Sequence, residues 1–432
     1  MDSRTRMSLA MSHEEPDRVP VMCQLALGHY FLHCDAAPAD IWFDSQTFAQ
    51  ALVALQRRYR FDGILINLPG RPPDWRSRIE SRRQEQNGER IRWRSGLETV
   101  FPPDDNPQTY LSGGERLPRA SYASVDLHDP AVQRLPGCVW NTWHTPELWD
   151  IDPDADLSDP AAYPKWFTGA LEAVQKSGSG CGCEARSGGG RRPEAQATPN
   201  ATGGRNEPRN RPTTHEPPQV SVHVEVFSPF THLMELFGYE QAMMALVDAP
   251  GLCQEALALF TRNVLAQVQV YAEHRPDAIL VSSAFAGAGF LSRTMYREFV
   301  MPYEDAVFQA IREKGGKSYV HTCGAIGDRL DLMAQTAVDG IDTLDPPPLG
   351  TVDLAQAKAE YGRRFFFKGN LDAVNEMLYA DDTAFERAVI DRLRIGRPGS
   401  GYILSSACSV APHVKPERLQ RLAELAEQHG RY

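Results

Sequence analysis

The chain is 432 residues long, which is long for one domain but suits a single α/β barrel with insertions. Hydrophobic residues make up 42% and charged residues 23%, values typical of a folded protein with a large core. The formal net charge of −11 disfavours nucleic acids and anionic membranes as partners. The sequence has neither a secretory signal nor an apolar stretch long enough to span a bilayer, so we expect a cytoplasmic protein with reduced cysteines.

The N-terminal part of the chain predicts two short strands and one helix. Residues 19–23 and 63–67 are rich in β-branched and other apolar side chains, which is typical of buried strands. Residues 48–59 lie between them and have helical spacing of apolar positions. This order indicates the beginning of a β/α alternation.

Two segments interrupt that alternation. Residues 71–136 include "NGERIRWRSGLETVF", which has the pattern of a hairpin, and we expect this excursion to cover one mouth of the barrel. Residues 177–218 are rich in Gly, Pro, Arg and Asn with almost nothing to bury, which predicts a disordered insertion. Its Cys181 and Cys183 could contact a metal, but an isolated Cys-x-Cys in such a loop more often has no role, and we expect none here.

From residue 219 onward strands and helices alternate regularly. Predicted helices cover 252–273, a segment that starts at Ser292 and runs through Ile311, and a C-terminal segment that opens at Pro416. The predicted strands are 220–226, 278–283, 318–322, 341–344, 364–368 and 402–406. With the two N-terminal strands they make eight, the number in a (β/α)8 TIM barrel, so we expect residues 1–432 to form one α/β domain of that class.

His321, Cys323 and Cys408 are the residues most indicative of chemistry. His321 and Cys323 end one predicted strand and Cys408 follows another, so all three fall on the rim where barrel enzymes carry their active sites. One imidazole and two thiolates suit Zn²⁺ and leave a coordination position open for a substrate. Two thiolates weaken the metal as a Lewis acid, which favours activation of a thiol over hydrolysis. The alternative is a buried histidine and two cysteines that only pack.

Other polar residues follow strands at the same rim. Glu225 is a candidate catalytic residue that would complete the metal coordination at rest, and its alternative role is a salt bridge inside the barrel. The candidate substrate-binding residues are Ser283, Asp345, Asn370 and Asp372. For Asn370 the alternative is a tight turn in which its side chain bonds the backbone.

Six segments together resemble the uroporphyrinogen decarboxylase superfamily. They are "EEPDRVPV", "FSPFTHLMELFGYEQAMMALVDAP", "FLSRTMYREFVMP", "HTCGAIGDRLDLMAQTAVDGIDTLDP", "FFFKGNLD" and "GYILSSACSVAPHVKPERL". The resemblance covers most of the chain outside the two interruptions and implies a TIM barrel. The superfamily has two main branches, a metal-free decarboxylase of heme biosynthesis and zinc-dependent, cobamide-linked methyltransferases marked by His-x-Cys and a distant Cys.

The metal-ligand pattern favours the methyltransferase branch. His321, Cys323 and Cys408 match that branch residue by residue, whereas "CQLALGHYF" lacks the arginine and "GILINLPG" lacks the aspartate of the decarboxylase. The resemblance therefore implies Zn²⁺, a corrinoid carried on a partner protein, and a small methyl donor or thiol acceptor, and it is compatible with a homodimer. A metal-free decarboxylase of tetrapyrrole biosynthesis and a non-catalytic ligand-binding barrel remain the alternatives.

Overall fold

The computed structural model describes residues 1–129, Val132, 151–152, 155–178 and 220–432. In this part of the chain the strands are β1 Gly63–Ile66, β2 Ile79–Glu85, β3 Gly88–Trp93, β4 Glu98–Phe101, β5 Gln108–Tyr110, β6 Ser221–Phe227, β7 Ala278–Ser282, β8 Ser318–His321, β9 Gly340–Thr343, β10 Phe366–Leu371 and β11 Tyr402–Ser406. The helices there are α1 Ser3–Met11, α2 Leu27–His33, α3 Pro38–Phe43, α4 Ser45–Tyr59, α5 Gly169–Gly178, α6 Pro229–Phe237, α7 Tyr239–Asp248, α8 Pro250–Glu273, α9 Arg293–Phe299, α10 Met301–Glu313, α11 Leu330–Met333, α12 Leu354–Tyr361, α13 Asp382–Gly396 and α14 Pro416–His429.

A curled parallel sheet forms the centre of the molecule. Within the described residues it has seven strands in the order β1-β6-β7-β8-β9-β10-β11, and every neighbouring pair is parallel. Helices connect the successive strands and cover the outer face, as parallel pairing requires. The α/β TIM-barrel fold expected from the sequence is confirmed.

The predicted strand at residues 19–23 closes the gap between the two ends of this sheet. It forms isolated parallel bridges rather than a continuous strand, with Val21 opposite Leu404 and Leu25 opposite Val410. On its other side the amide of Asp62, just before β1, donates to the carbonyl of Val21 at 2.7 Å. The eighth position of the barrel is therefore filled by a short, irregular segment.

Helix α8 shows how the sequence pattern fixes the outer layer. Its predicted inner face, at Ala256, Phe260, Val264 and Val268, is fully or almost fully buried against the sheet and neighbouring helices. Spacing of three to four residues puts these side chains on one stripe, whose burial stabilises the helix more than its intrinsic propensity does. Among the described residues no single helix is long and apolar enough to cross a membrane, and only the pair α7 and α8, bent by 118°, passes such a test together.

The excursion after β1 is larger than the predicted hairpin. It is a four-stranded antiparallel sheet in the order β2-β3-β4-β5, with the "NG" turn between β2 and β3. Phe43 of α3 anchors this sheet to the barrel through a buried cluster of three aromatic rings, with centroid distances of 5.0 to 5.4 Å. Those rings belong to Trp75, Trp93 and Phe101.

One helix was predicted wrongly as continuous. Ser292 does cap it, because its hydroxyl accepts from the amide of Met295 at 3.2 Å, but the helix breaks at Val300 into α9 and α10. Pro302 explains the break, since it has no amide hydrogen and its ring clashes with the carbonyl four residues earlier in a continuous helix. The predicted insertion at 177–218, with Cys181 and Cys183, lies outside the described residues from residue 179 on, as do 130–131 and 133–136 of the predicted excursion.

Candidate metal centre

His321, Cys323 and Cys408 come together at the carboxyl-end rim of the barrel. Their ligand atoms all lie within 4.8 Å of one another, and among the described residues they form a group able to hold a metal ion. The Cys323 Sγ lies 3.3 Å from His321 Nε2 and 3.6 Å from Cys408 Sγ. Residues 85 positions apart in sequence thus share one small volume, as their positions after parallel strands led us to expect.

Local backbone contacts hold the two cysteines at the rim. After β8 the chain turns sharply, and the Gly324 amide donates to Asp345 at 2.6 Å. Gly287 allows the loop after β7 to approach this turn, because a Cβ at that position would lie 2.5 Å from the Cys323 carbonyl oxygen. After β11 the Ser406 hydroxyl donates to the Cys408 carbonyl at 2.6 Å, which fixes the second turn.

A buried carboxylate holds the His321 ring in place, and a buried lysine in turn pairs with that carboxylate. The Asp342 Oδ2 lies 3.1 Å from His321 Nδ1, and its Oδ1 accepts from Lys368 Nζ at 2.9 Å. The strand register brings these three side chains side by side, because His321, Asp342 and Lys368 are direct neighbours on β8, β9 and β10. A carboxylate on Nδ1 fixes the tautomer and leaves Nε2 facing the thiols, the arrangement that metal-binding histidines commonly have.

The charges of the metal-free site follow from these contacts. Burial opposes ionisation of Asp342, but Lys368 and His321 outweigh it and lower the pKa of Asp342 to about 2. Burial likewise opposes protonation of His321, and its bonds to Asp342 and Cys408 raise its pKa to about 10. The hydrogen bond from Cys323, with His321 close by, holds the pKa of Cys408 well below its usual value, while the same thiol pair raises the pKa of Cys323.

The donor set fits zinc. Two sulfur atoms and one imidazole nitrogen suit a soft or borderline divalent ion, and a thiolate beside a histidinium is already an anionic ligand. Three protein ligands leave one position for a further group, which is the pattern of catalytic zinc. The alternative is that the two cysteines only pack as small apolar residues. It does not account for the hydrogen bond between Asp342 and His321, or for the cavity described next.

A cavity of about 300 Å³ opens directly onto this cluster. Its wall includes His321, both cysteines and Glu225. Residues 24–27, which follow the irregular barrel strand at 19–23, and the loop between β4 and β5 also contribute. The other lining residues are Gln24, Leu25, Ala26, Leu27, Asn67, Leu68, Asn106, Phe227, Thr231, Glu235, Ser282, Ala284, Phe285 and Ser409. The candidate centre is therefore accessible to a small molecule.

Glu225 lies in the wall of the cavity but outside the three-ligand group. Burial raises its pKa to about 7, although His321 and a hydrogen bond with Ser282 pull that pKa down. Among the described residues Glu225 makes no ion pair, since the neighbouring His321 and Lys368 both pair with Asp342. Its role as a fourth ligand stays a prediction.

Ser283 and Asp345 occupy positions beside the site rather than in the cavity wall. The Ser283 hydroxyl is 3.3 Å from that of Ser228, and its amide donates to the His321 carbonyl at 2.8 Å. Asp345 accepts from Gly324, and burial raises its pKa to about 6. Both residues shape the loops that carry the ligands, and their predicted contact with substrate stays a prediction.

Asn370 and Asp372 make internal hydrogen bonds. The Asn370 amide donates to the Leu344 carbonyl at 2.9 Å and accepts from Arg392 at 3.1 Å. The Asp372 carboxylate accepts from the amides of Val374 and Asn375, each at 2.8 Å. The Asn370 side chain thus bonds the backbone, as in its alternative role, but the residue lies within β10 rather than in a turn, and neither Asn370 nor Asp372 lines the cavity.

Sequence reasoning missed Asp342, Lys368 and two carboxamides of the cavity. Asp342 and Lys368 stand inside otherwise apolar strands, and a charged residue at such a position is rarely buried without a partner, which is a usable signal. Gln24 follows the first predicted strand and Asn67 ends the second, yet no motif marks them. The buried side-chain oxygens of both have no hydrogen-bond partner.

Comparisons with known proteins agree with this fold. The sequence profile described as Uroporphyrinogen decarboxylase (URO-D) matches residues 211–429, just over half of the chain. The uroporphyrinogen decarboxylase of Saccharopolyspora erythraea is 33% identical over 154 residues, which cover 34% of this chain and 41% of the relative. That of Aromatoleum aromaticum is 28% identical over 186 residues, which cover 42% and 49% respectively, so the match spans less than half of either relative.

A solved structure described as a methyltransferase from Methanosarcina mazei superposes over 99% of both chains with a TM-score of 0.65. At 13% sequence identity this likeness is one of fold. The structural superposition also covers the N-terminal half of the chain, which the family profile does not reach. From the profile match over residues 211–429, we conclude that the chain belongs to the uroporphyrinogen decarboxylase family.

Proposed function

We propose that this protein is a zinc-dependent methyltransferase that moves a methyl group between a small molecule or thiol and a corrinoid carried on a partner protein. The observation that carries the proposal is the His321, Cys323 and Cys408 cluster at the floor of an accessible cavity. The superposable methyltransferase fold supports it.

The residues of the chain would each have a distinct task. His321, Cys323 and Cys408 would hold Zn²⁺, which when bound would keep a substrate thiol ionised at neutral pH. Asp342 would hold the imidazole in the tautomer that presents Nε2, and Lys368 would keep Asp342 ionised. Glu225 would fill the remaining position at rest and give way to substrate. The cavity would align the small molecule and exclude water.

The first experiment is metal analysis of protein purified without chelator. We expect close to one zinc per chain, and a marked loss in Cys323→Ser and in Cys408→Ser. Cys253→Ser is the matched control, because that cysteine is buried in α8 and contributes no atom to the cluster. If the parent protein holds less than about half an equivalent of zinc, and the two rim substitutions leave that zinc content unchanged, the proposal is wrong.

The second experiment concerns methyl transfer. Zinc-loaded protein is mixed with methylcobalamin and a panel of small thiols, and absorbance reports the loss of the methyl group from cobalt. We expect a zinc-dependent rate that Cys408→Ser abolishes. A protein that binds zinc yet gives no transfer with any thiol or methylated molecule, in either direction, would favour the non-catalytic barrel.

A metal-free decarboxylase is the second candidate, and the names of the relatives favour it. The cavity argues against it. A substrate with many carboxylates needs cations, whereas the described cavity wall includes no lysine or arginine, and its His321 is paired with Asp342. Incubation with uroporphyrinogen separates the two functions: chelator-resistant production of coproporphyrinogen would establish the decarboxylase, and we expect none.

A further inference from the structure

We propose that the cavity above the metal centre selects small molecules with a cationic or neutral hydrogen-bonding tail and rejects those with an anionic tail. This inference rests on the proposed function and deepens it, since it names the chemical class of the substrate. It concerns the part of the substrate that points away from the metal.

The charges around the cavity carry the argument. Its described wall has Glu225 and Glu235 and includes no lysine or arginine. Arg119 pairs with Glu235 at 2.6 Å, so the unpaired carboxyl group of the described wall is that of Glu225, and Lys368, whose charge acts on Glu225, donates to Asp342 at 2.9 Å. An anionic tail would find hydroxyl and carboxamide donors in this wall but no lysine or arginine, and burying a carboxylate or sulfonate without a counter-charge is unfavourable.

The metal would not reverse this preference. Zn²⁺ with two thiolates and a neutral imidazole has no net charge, so a thiolate substrate brings the centre to −1. Glu225, once displaced from the metal, is a carboxyl group beside it whose ionised form a cationic tail favours and an anionic tail disfavours. A cationic tail is therefore attracted to this part of the cavity and an anionic tail is repelled.

The uncharged part of the wall suits the same class. Among the described residues the side-chain oxygens of Gln24 and Asn67 are buried without a hydrogen-bond partner, and they can accept from an ammonium or hydroxyl group. Phe227 and Phe285 also line the cavity, and the faces of aromatic rings attract cations, including quaternary ammonium groups. A volume of about 300 Å³ restricts the ligand to a small molecule.

Three thiols test the proposal: thiocholine with a cationic tail, 2-mercaptoethanol with a neutral tail and 3-mercaptopropionate with an anionic tail. Each is titrated into protein loaded with Co²⁺ in place of zinc, whose thiolate absorption reports binding. We expect affinity to fall in that order. The three thiols also differ in acidity, and this difference alone would produce part of the expected order of affinities. The decisive test therefore compares the affinities of the parent protein with those of a variant.

The quantity compared is the ratio of the thiocholine affinity to the 3-mercaptopropionate affinity. We expect Glu225→Gln to lower this ratio by about a hundredfold, because one unit charge about 10 Å away at an effective dielectric of about 20 changes the two affinities by about tenfold each, in opposite directions. The acidity of the thiols cancels in this comparison. Glu255→Gln, on the exposed face of α8, is the matched control and should leave the ratio unchanged.

Two outcomes overturn different statements. A preference for 3-mercaptopropionate, or an equal ratio in Glu225→Gln and in the parent protein, refutes the proposed substrate class while leaving the metal centre intact. No change of the cobalt absorption with any thiol refutes thiol activation itself, and with it the proposed function. Metal content measured after each titration excludes extraction of the ion as the source of the signal.

Discussion

Substitution of Asp342 by leucine gives the most informative test of how the metal centre is built. Asp342 is 1% exposed and holds two groups, the imidazole of His321 at 3.1 Å and the ammonium of Lys368 at 2.9 Å. Its loss frees the imidazole to rotate and leaves Lys368, also 1% exposed, without a counter-charge. The same variant should therefore weaken metal binding and destabilise the fold.

The two effects have different sizes and can be measured separately. Loss of the carboxylate that orients a metal-bound histidine costs about 10- to 100-fold in metal affinity. Breaking a buried ion pair by removing one partner costs about 3–5 kcal/mol of unfolding free energy. Competition with a chromophoric chelator measures the zinc affinity of Asp342→Leu, and urea denaturation of the metal-free protein measures its stability.

A double variant separates support of the metal from support of the fold. Asp342→Leu with Lys368→Met removes both buried charges, and replacing a buried ion pair with apolar residues is often neutral for stability. We expect the double variant to regain most of the lost unfolding free energy but not the zinc affinity. If either variant binds zinc within about twofold of the parent protein, Asp342 does not position His321 and the reasoning from their hydrogen bond is wrong.

Three further predictions concern the thiols, a buried acid and the aromatic anchor. The Sγ atoms of Cys323 and Cys408 are 3.6 Å apart, so mild oxidation should join them in the metal-free protein but not in the zinc-loaded protein; peptide mapping that finds both as thiols after oxidation would contradict this. Burial raises the pKa of Glu304 from 4.5 to about 7 in the folded protein, so the folded state favours the neutral carboxyl group. The stability that this group contributes is complete below pH 4.5 and is lost as pH rises through 7. The parent protein should therefore lose roughly 2–3 kcal/mol more unfolding free energy between pH 5 and 8 than Glu304→Gln, and equal losses would contradict the assignment. Phe43→Ala should cost about 3–5 kcal/mol because its ring contacts three buried aromatic rings, whereas Tyr379→Ala, 76% exposed, should stay within about 0.5 kcal/mol of the parent; equal effects would show that the cluster does not anchor the excursion.

Local sequence pattern was sufficient for most of the barrel. Each run of β-branched residues from 220 onward became a strand with ends shifted by no more than three residues, because burial on both faces requires a continuous apolar segment. It failed where a single residue overrode the pattern, as Pro302 does between α9 and α10. It also failed to show that residues 19–23 pair through isolated bridges, because pairing depends on the neighbouring strands.

The sequence by itself determined that the trio His321, Cys323 and Cys408 shares one rim, because residues that follow parallel strands must share one edge of the sheet whatever their separation along the chain. Only the tertiary structure decided what surrounds that trio. The register of β8, β9 and β10 puts Asp342 between His321 and Lys368, and the curl of the sheet brings Glu225 and Gln24 to one cavity. Both depend on contacts between distant segments, whose geometry no local pattern encodes.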